Sequence, residues 1–296
     1  MAATRQALSI TRIDIIAPAK INLFLHVVGK RDDGYHELRT LMCCIGLHDS
    51  LVLHVGAAQS QLTSNNPDIP CDSKNLALKA ALSFNRVLAE QTALSARHVS
   101  IELFKRIPVG AGLGGGSSDA AAVLNALNAY YGHPLDRSGL HALALSLGAD
   151  VPFFLDLAPA IATGVGERLE PYSHLPSWSV VVVYPGFGIS TAEVFAGLTL
   201  GLTKCEKQLR YFPFKCGKFD IGRHLCNDLE SVAARRFPVI NTIKRELLHR
   251  GAMGALMTGS GSAVFGVFAD PEAARRAGMS LSDHPDWKIF VTALRV

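Results

Sequence analysis

Apolar residues recur at every second position over Ile13–Val28: Ile15 and Ala17, then Ile21, Leu23, Leu25 and Val27. That period of two predicts a strand. The charges and Gly34 of Gly29–His36 predict a loop, Leu51–Val55 a second strand, and Ser60–Ser73 an irregular, turn-rich stretch. Helical spacing takes over at Asn75–Glu90, through Leu76, Leu78, Ala80, Leu82, Val87 and Leu88, before alternation returns at Val99–Ile107. Helices are expected at Ser118–Tyr131 and Leu140–Leu147, the second closed by Gly148, and a buried strand or apolar segment at Val151–Leu157. Val180–Tyr184 reads as an all-apolar strand stopped by Pro185-Gly186, and Val232–Leu248 as one amphipathic helix stopped by Gly251. Strands at Ala255–Met257 and Ala263–Phe268, a helix at Glu272–Leu281 and a strand at Lys288–Val296 complete an α/β chain of the α+β kind. A domain boundary is expected near Ala162–Leu169, giving residues 1–165 and 166–296.

The chain has 296 residues, 49% apolar and 18% charged. A chain of that length buries about three quarters of its unfolded surface, so its core needs no metal or disulfide staple. This composition excludes disorder, collagen and a disulfide scaffold. The net charge of +4 is too small, and its densest groups (Lys30-Arg31, Lys105-Arg106, Arg235-Arg236) too short, to indicate nucleic acid. It suits an anionic small substrate. Six cysteines, Cys43, Cys44, Cys71, Cys205, Cys216 and Cys226, contain no Cys-x-x-Cys and are expected to be buried free thiols in a reducing cytoplasm. Met1–Thr11 lacks the apolar core of a signal peptide, and no run is long enough to span a bilayer; a cytoplasmic protein without membrane contact is expected. His133, His224 and His249 show no metal-ligand spacing.

The densest chemical signal is Pro108-Val-Gly-Ala-Gly-Leu-Gly-Gly-Gly-Ser-Ser-Asp119, with five glycines in the seven positions 110–116 between a strand and a helix. Glycine permits positive φ and close approach of a ligand, and the following helix offers unpaired N–H groups and the positive end of its dipole. Ser117 and Ser118 add hydroxyls and can cap the helix. Together these make a phosphate cradle. A Walker A loop is excluded because no lysine follows the glycines, and the lysine of a protein-kinase loop is missing too. Gly110, Gly112 and Gly115 match the Gly-x-Gly-x-x-Gly pattern of dinucleotide-dependent oxidoreductases, but no ribose-binding acid ends a following strand.

Pro108-x-x-x-Gly112-Leu113-Gly-Gly-Gly-Ser-Ser-Asp-Ala-Ala resembles the second motif of the GHMP small-molecule kinases, Pro18-Ala-Lys20-Ile-Asn22-Leu their first, and Thr258-Gly-Ser-Gly-Ser262 their third. The three stand in the family's order and span most of the chain. Asp33-Gly-Tyr-His36, Leu147-Gly-Ala-Asp150-Val-Pro and the triple glycine at 114–116 are similar to one branch, which phosphorylates the tertiary 2-hydroxyl of a cytidine diphosphate methylerythritol in non-mevalonate isoprenoid synthesis. The resemblance implies a ribosomal-protein-S5-like N-terminal ATP-binding domain and a ferredoxin-like C-terminal domain. It also implies an active site between them, with ATP and Mg2+ as cofactors; the sequence leaves monomer and homodimer both open. A nucleic-acid module is the remaining rival, since S5-like folds also occur in ribosomal proteins, and steeply salt-dependent RNA binding would mark it.

The resemblance further implies roles for single residues. Lys20 and Asp150 are the expected catalytic pair, Asp150 as a partly desolvated general base and Lys20 as a cation facing the transferring phosphoryl group. Asn22, two residues along the strand from Lys20, shares its face and is an expected substrate contact. Tyr35, His36 and, across from them, Phe195 are expected around the cytosine. The nucleotide is expected on Asn75, Lys105, Pro108, Val109, Gly110, Ala111, Gly112, Leu113, Gly114, Gly115, Gly116, Ser117 and Ser118. Ser117 is available to magnesium, with no acidic partner assigned.

Overall fold

A computed structural model describes residues 10–198, 205 and 218–296. The reading of Met1–Thr11 therefore lies mostly outside the described residues. The chain forms two compact units, each gathered from several stretches.

The first unit comprises residues 1–17, 48–106 and 116–155. Its sheet pairs the end of β2 (His36–Val55) antiparallel with β4 (Val99–Phe104), from Ser50 opposite Phe104 to Val55 opposite Val99. β3 (Gln61–Ser64) adds in parallel on the far side of β4, inside the stretch expected to be irregular. Leu51, Leu53, Ile101 and Leu103 are buried and alternate with more exposed neighbours on β4. α1 (Leu76–Gln91) packs against α3 (Arg137–Leu147) and buries Ala77, Ala80, Ala81, Phe84 and Leu88. α2 (Gly115–Tyr130) buries Ala120, Val123, Leu124 and Leu127. The apolar stretch after Asp150 is a single helical turn, α4 (Phe153–Asp156), and not a strand. Pro152 in front of it supplies the fixed φ of a helix start.

The second unit comprises residues 18–47, 107–115 and 156–296. Val180–Tyr184 forms β7 (Ser179–Tyr184), flanked antiparallel by β10 (Val264–Phe268) and β11 (Lys288–Arg295), with β9 (Gly254–Met257) beyond β10. Val180 and Val182 enter one hydrophobic cluster, Val181 and Val183 another. Burial on both faces is why this strand shows no alternation. The same holds for residues 40–45 of β2, a 20-residue strand of which the sequence marks only the C-terminal end. β5 (Ala160–Gly164) and β6 (Arg168–Pro171) form a hairpin that takes in Ala162–Leu169.

After α6 (Ile221–His224) and β8 (Cys226–Asn227), the single helix expected at Val232–Leu248 is two, α7 (Glu230–Arg236) and α8 (Val239–His249), separated by Phe237 and Pro238. Proline cannot donate to the preceding turn and forces the residue before it out of helix. α9 (Pro271–Leu281) is capped by Asp270, whose carboxylate accepts from Ala273 N.

The cysteine expectation needs correction. Cys205 and Cys226 form a disulfide, with Cα atoms 5.6 Å apart, and Cys71 is exposed. Scattered spacing concealed a pair that folding brings within bonding range. Cys43 and Cys44 are buried free thiols, and burial pushes each up to about 12. No described helix is long and apolar enough to cross a membrane.

Candidate active site

β1 (Thr11–Lys30) places Lys20 and Asn22 on one face because side chains two apart on a strand point the same way. Both are buried, at 4% and 2% exposure. Lys20 Nζ donates to Asn22 Oδ1 at 2.7 Å, a short, charge-assisted bond. Asn22 Nδ2 donates to Thr40 Oγ1 at 2.8 Å, and the Thr40 hydroxyl donates to Phe24 O at 2.6 Å. Asn22 N donates to Thr258 Oγ1 at 3.0 Å. The first and third motifs thus share one hydrogen-bonded cluster in the second unit, and both ends of the Asn22 carboxamide are already engaged.

The glycine loop is laced to the same cluster. Lys20 N donates to Leu113 O, Ile189 N to Gly110 O and Ala263 N to Ala111 O, all at 2.9–3.1 Å. Gly110, Gly112 and Gly114 have φ of 66°, 77° and 72°. At Gly112 a Cβ would lie 2.2 Å from Thr258 O, so glycine is required there for both φ and close approach. α2 opens at Gly115, earlier than the expected Ser118. Ser117 and Ser118 therefore stand in its first turn and do not cap it. Ser118 Oγ and Asp119 Oδ1 are buried with no hydrogen-bond partner among the described residues. These are hard oxygen donors at the end of a helix whose N–H groups face outward, chemistry that fits a phosphate with its magnesium. Among the described residues no three His, Cys, Asp or Glu side chains form a metal cage.

Asp150 lies half-buried in the turn between α3, ended by Gly148, and α4, within the first unit. Asn75 is the N-cap of α1: its Oδ1 accepts from Ala77 N and its Nδ2 donates to Pro70 O. Lys105 is buried in the first unit, its ammonium bonded to Asp49 and, at 2.9 Å, to Asp119 Oδ2. Asp49 Oδ1 also accepts from Arg106 N at 2.6 Å. Asp49 and Asp119 were not assigned from sequence. Asp119 stood in plain view inside the second motif, whereas nothing local marks Asp49.

Two buried carboxylates around one ammonium leave a surplus charge. Burial pushes Asp119 up to about 7, helped by the like charge of Asp49 and opposed by Lys105. Burial alone would lower Lys105, but Asp119 and Asp49 together raise it. A protonated Asp119 makes the trio neutral. Because the folded state holds this proton more tightly than the unfolded chain, the group's contribution to stability is full below about pH 4 and is lost as pH rises through about 7. Asp119→Asn, which cannot ionise, removes that dependence. Thermal melts of the two proteins from pH 5 to 8 should show the wild type losing ground steadily to the variant; parallel curves would contradict the shared proton.

In the second unit the His36 and Phe195 rings stack, with centroids 4.9 Å apart and planes 26° from parallel. Burial, with the charge of Lys30 behind it, lowers the His36 pKa. Tyr35 beside them is 65% exposed. Phe195 sits on α5 (Thr191–Ala196), whose Thr191 hydroxyl bonds the Ser260 hydroxyl at 2.8 Å.

Comparison with known proteins places these features. The GHMP kinases N terminal domain matches residues 75–157 and the GHMP kinases C terminal domain residues 220–285. A 4-diphosphocytidyl-2-C-methyl-D-erythritol kinase of Syntrophotalea carbinolica is 44% identical over 276 residues, 93% of this chain and 96% of that protein. A crystal structure of 4-(cytidine 5'-diphospho)-2C-methyl-D-erythritol kinase superposes with a TM-score of 0.79 at 39% identity, covering 96% of this chain and all of the other. A homoserine kinase from Cytophaga hutchinsonii shares the fold, with a TM-score of 0.73 at 18% identity over the whole of this chain and 96% of its own.

Proposed function

The chain belongs to the GHMP kinases, within the branch of 4-diphosphocytidyl-2-C-methyl-D-erythritol kinases, and from that membership we propose how its residues divide the work. It is an ATP-dependent phosphotransferase with an alcohol acceptor, the 2-hydroxyl of 4-diphosphocytidyl-2-C-methyl-D-erythritol, in isoprenoid precursor synthesis. The observation that carries the assignment of residues is the buried Lys20–Asn22 pair, hydrogen-bonded to the third motif while its backbone holds the glycine loop.

Residues 108–118 cradle the ATP phosphates through backbone N–H groups and the first turn of α2. Asp150 accepts the proton of the acceptor hydroxyl as that oxygen bonds to the γ-phosphorus. The bond from phosphorus to the β–γ bridging oxygen breaks, and ADP leaves with the electron pair. Lys20 offsets the negative charge spread over the transferring group. Ser117 and Ser118 would offer a magnesium ion their hydroxyl oxygens, and the ion would supply positive charge to offset that of the ATP phosphates. Residues 1–165 carry the nucleotide-binding part and 166–296 complete the enzyme, which works in the cytoplasm on a free small molecule. Asn75 and Lys105, with side chains already bonded inside the first unit, serve the nucleotide by shaping its surroundings.

A coupled assay of ATP consumption against the cytidylyl substrate, mevalonate, homoserine and galactose tests the acceptor. Turnover with the first alone is expected; preference for any other would move the enzyme to a different branch.

Tyr35 supports the cytosine. Being exposed, it contributes little to folding, so Tyr35→Ala isolates binding. Stacking on a base is worth about 1–3 kcal/mol, which makes a rise of about tenfold or more in KM for the cytidylyl substrate the expected result. KM for ATP should stay unchanged. Equal rises in both would make the loop a structural element.

A further inference from the structure

The Lys20 ammonium bonds a neutral partner, Asn22, whose orientation can be deduced. The Thr40 hydroxyl has one proton, and it goes to Phe24 O at 2.6 Å. Its oxygen must then accept from Asn22, which fixes the nitrogen end of the Asn22 carboxamide on Thr40 and its oxygen end on Lys20. The Thr258 hydroxyl sits on the other side of the same residue. It accepts from Asn22 N at 3.0 Å, and its own proton lies within reach of Asn22 Oδ1 at 3.3 Å and Gly112 O at 3.4 Å. Thr40 is 3% exposed and Thr258 fully buried, so water does not compete for these bonds.

Thr258 is itself held from behind. Asn227 Nδ2 donates to Met257 O and Gly259 O, both at 2.8 Å, gripping the chain on either side of Thr258. Asn227 Oδ1 accepts from Leu229 N at 2.9 Å, and Glu230 accepts from Met257 N at 2.8 Å. One continuous set of buried bonds therefore runs from Asn227 through residues 257–259 to Thr258, Asn22 and the Lys20 ammonium.

We propose that Thr258 and Thr40 are positioning residues for Lys20: their hydroxyls lock the Asn22 carboxamide with its oxygen toward the ammonium, and Asn227 keeps Thr258 in place to do so. The inference rests on the reading of Lys20 as the cation of the transfer step. It gives the third motif a second task beyond letting the glycine loop pass close by. It also makes Asn22 the link between motifs, not only a substrate contact. Valine is nearly isosteric with threonine and lacks the hydroxyl, and serine keeps the hydroxyl without the methyl.

The test is a double-mutant cycle on the full chain with single-turnover transfer as readout, folding being checked by thermal melts. Thr258→Val is expected to lower kcat on the order of 10²-fold, the loss typical when a catalytic group is misplaced by about 1 Å, with KM for ATP unchanged. Thr258→Ser should recover most of it. Placed on Lys20→Met, Thr258→Val should cost nothing further, because the group it positions is gone. Thr40→Val provides the same comparison from the other end of Asn22 if Thr258→Val does not fold. An inactive Lys20→Met with a near-normal Thr258→Val, or the same loss from Thr258→Val in both backgrounds, would overturn the positioning role alone. A near-normal Lys20→Met would overturn the reading of Lys20 and the positioning role with it.

Discussion

Asp150→Asn is expected to lower kcat by about 10²–10⁴, the range set by loss of a general base, while both substrates still bind. Asparagine has the size and shape of aspartate and keeps hydrogen-bonding capacity toward a hydroxyl, but it accepts no proton. Asp150 is half-buried in the turn between α3 and α4. A loose transition state needs the hydroxyl proton removed late, which places the loss toward the lower end of that range. Separate titrations with ATP and the cytidylyl substrate should give dissociation constants within about threefold of wild type, less than 1 kcal/mol. Near-normal single-turnover transfer would remove Asp150 as the base.

Lys105→Met is expected to have the largest effect on stability. Removing one partner of a buried ion pair costs about 3–5 kcal/mol, because the remaining charge has neither water nor a counter-ion. Here two carboxylates, Asp49 and Asp119, would be left facing each other with 0% and 4% side-chain exposure. A drop in Tm on the order of 10 °C follows for a chain of this size. Asp119→Asn in the same protein should add little to the loss, because Asp119 without Lys105 is already a neutral acid, a non-additivity that a nucleotide contact would not produce. A stable Lys105→Met with only a raised KM for ATP would return Lys105 to the adenosine.

How far the sequence could be read depended on whether the information was local. The glycine loop, Lys20 and Asn22 announce themselves through spacing, and Asn75 heads its helix as a polar residue before an apolar run should. Most strands in the second unit were found in place, because short apolar runs between turn residues are legible even when both faces are buried. β2 was found only over Leu51–Val55 of its His36–Val55 span. Pro238 was visible yet went unused in dividing α7 from α8. Asp49, Thr40, Asn227 and the Cys205–Cys226 bond could not be found from spacing at all. Each acts on residues 18–57 positions away through folding, apart from Cys205 and Cys226, whose separation of 21 matches no motif. The same distinction runs through the active site. Residue types that touch the ligand recur in motifs, while those that hold them in place are defined only by the fold.

The central claim is that the chain moves a phosphoryl group from ATP to one tertiary hydroxyl. Phosphorus NMR of a reaction containing ATP, magnesium and 4-diphosphocytidyl-2-C-methyl-D-erythritol reads this directly. A new phosphomonoester resonance on the 2-carbon should grow in step with ADP while the diphosphate of the cytidylyl substrate stays intact. ADP accompanied by free phosphate and no phosphomonoester, or a phosphomonoester on a different hydroxyl, would contradict it.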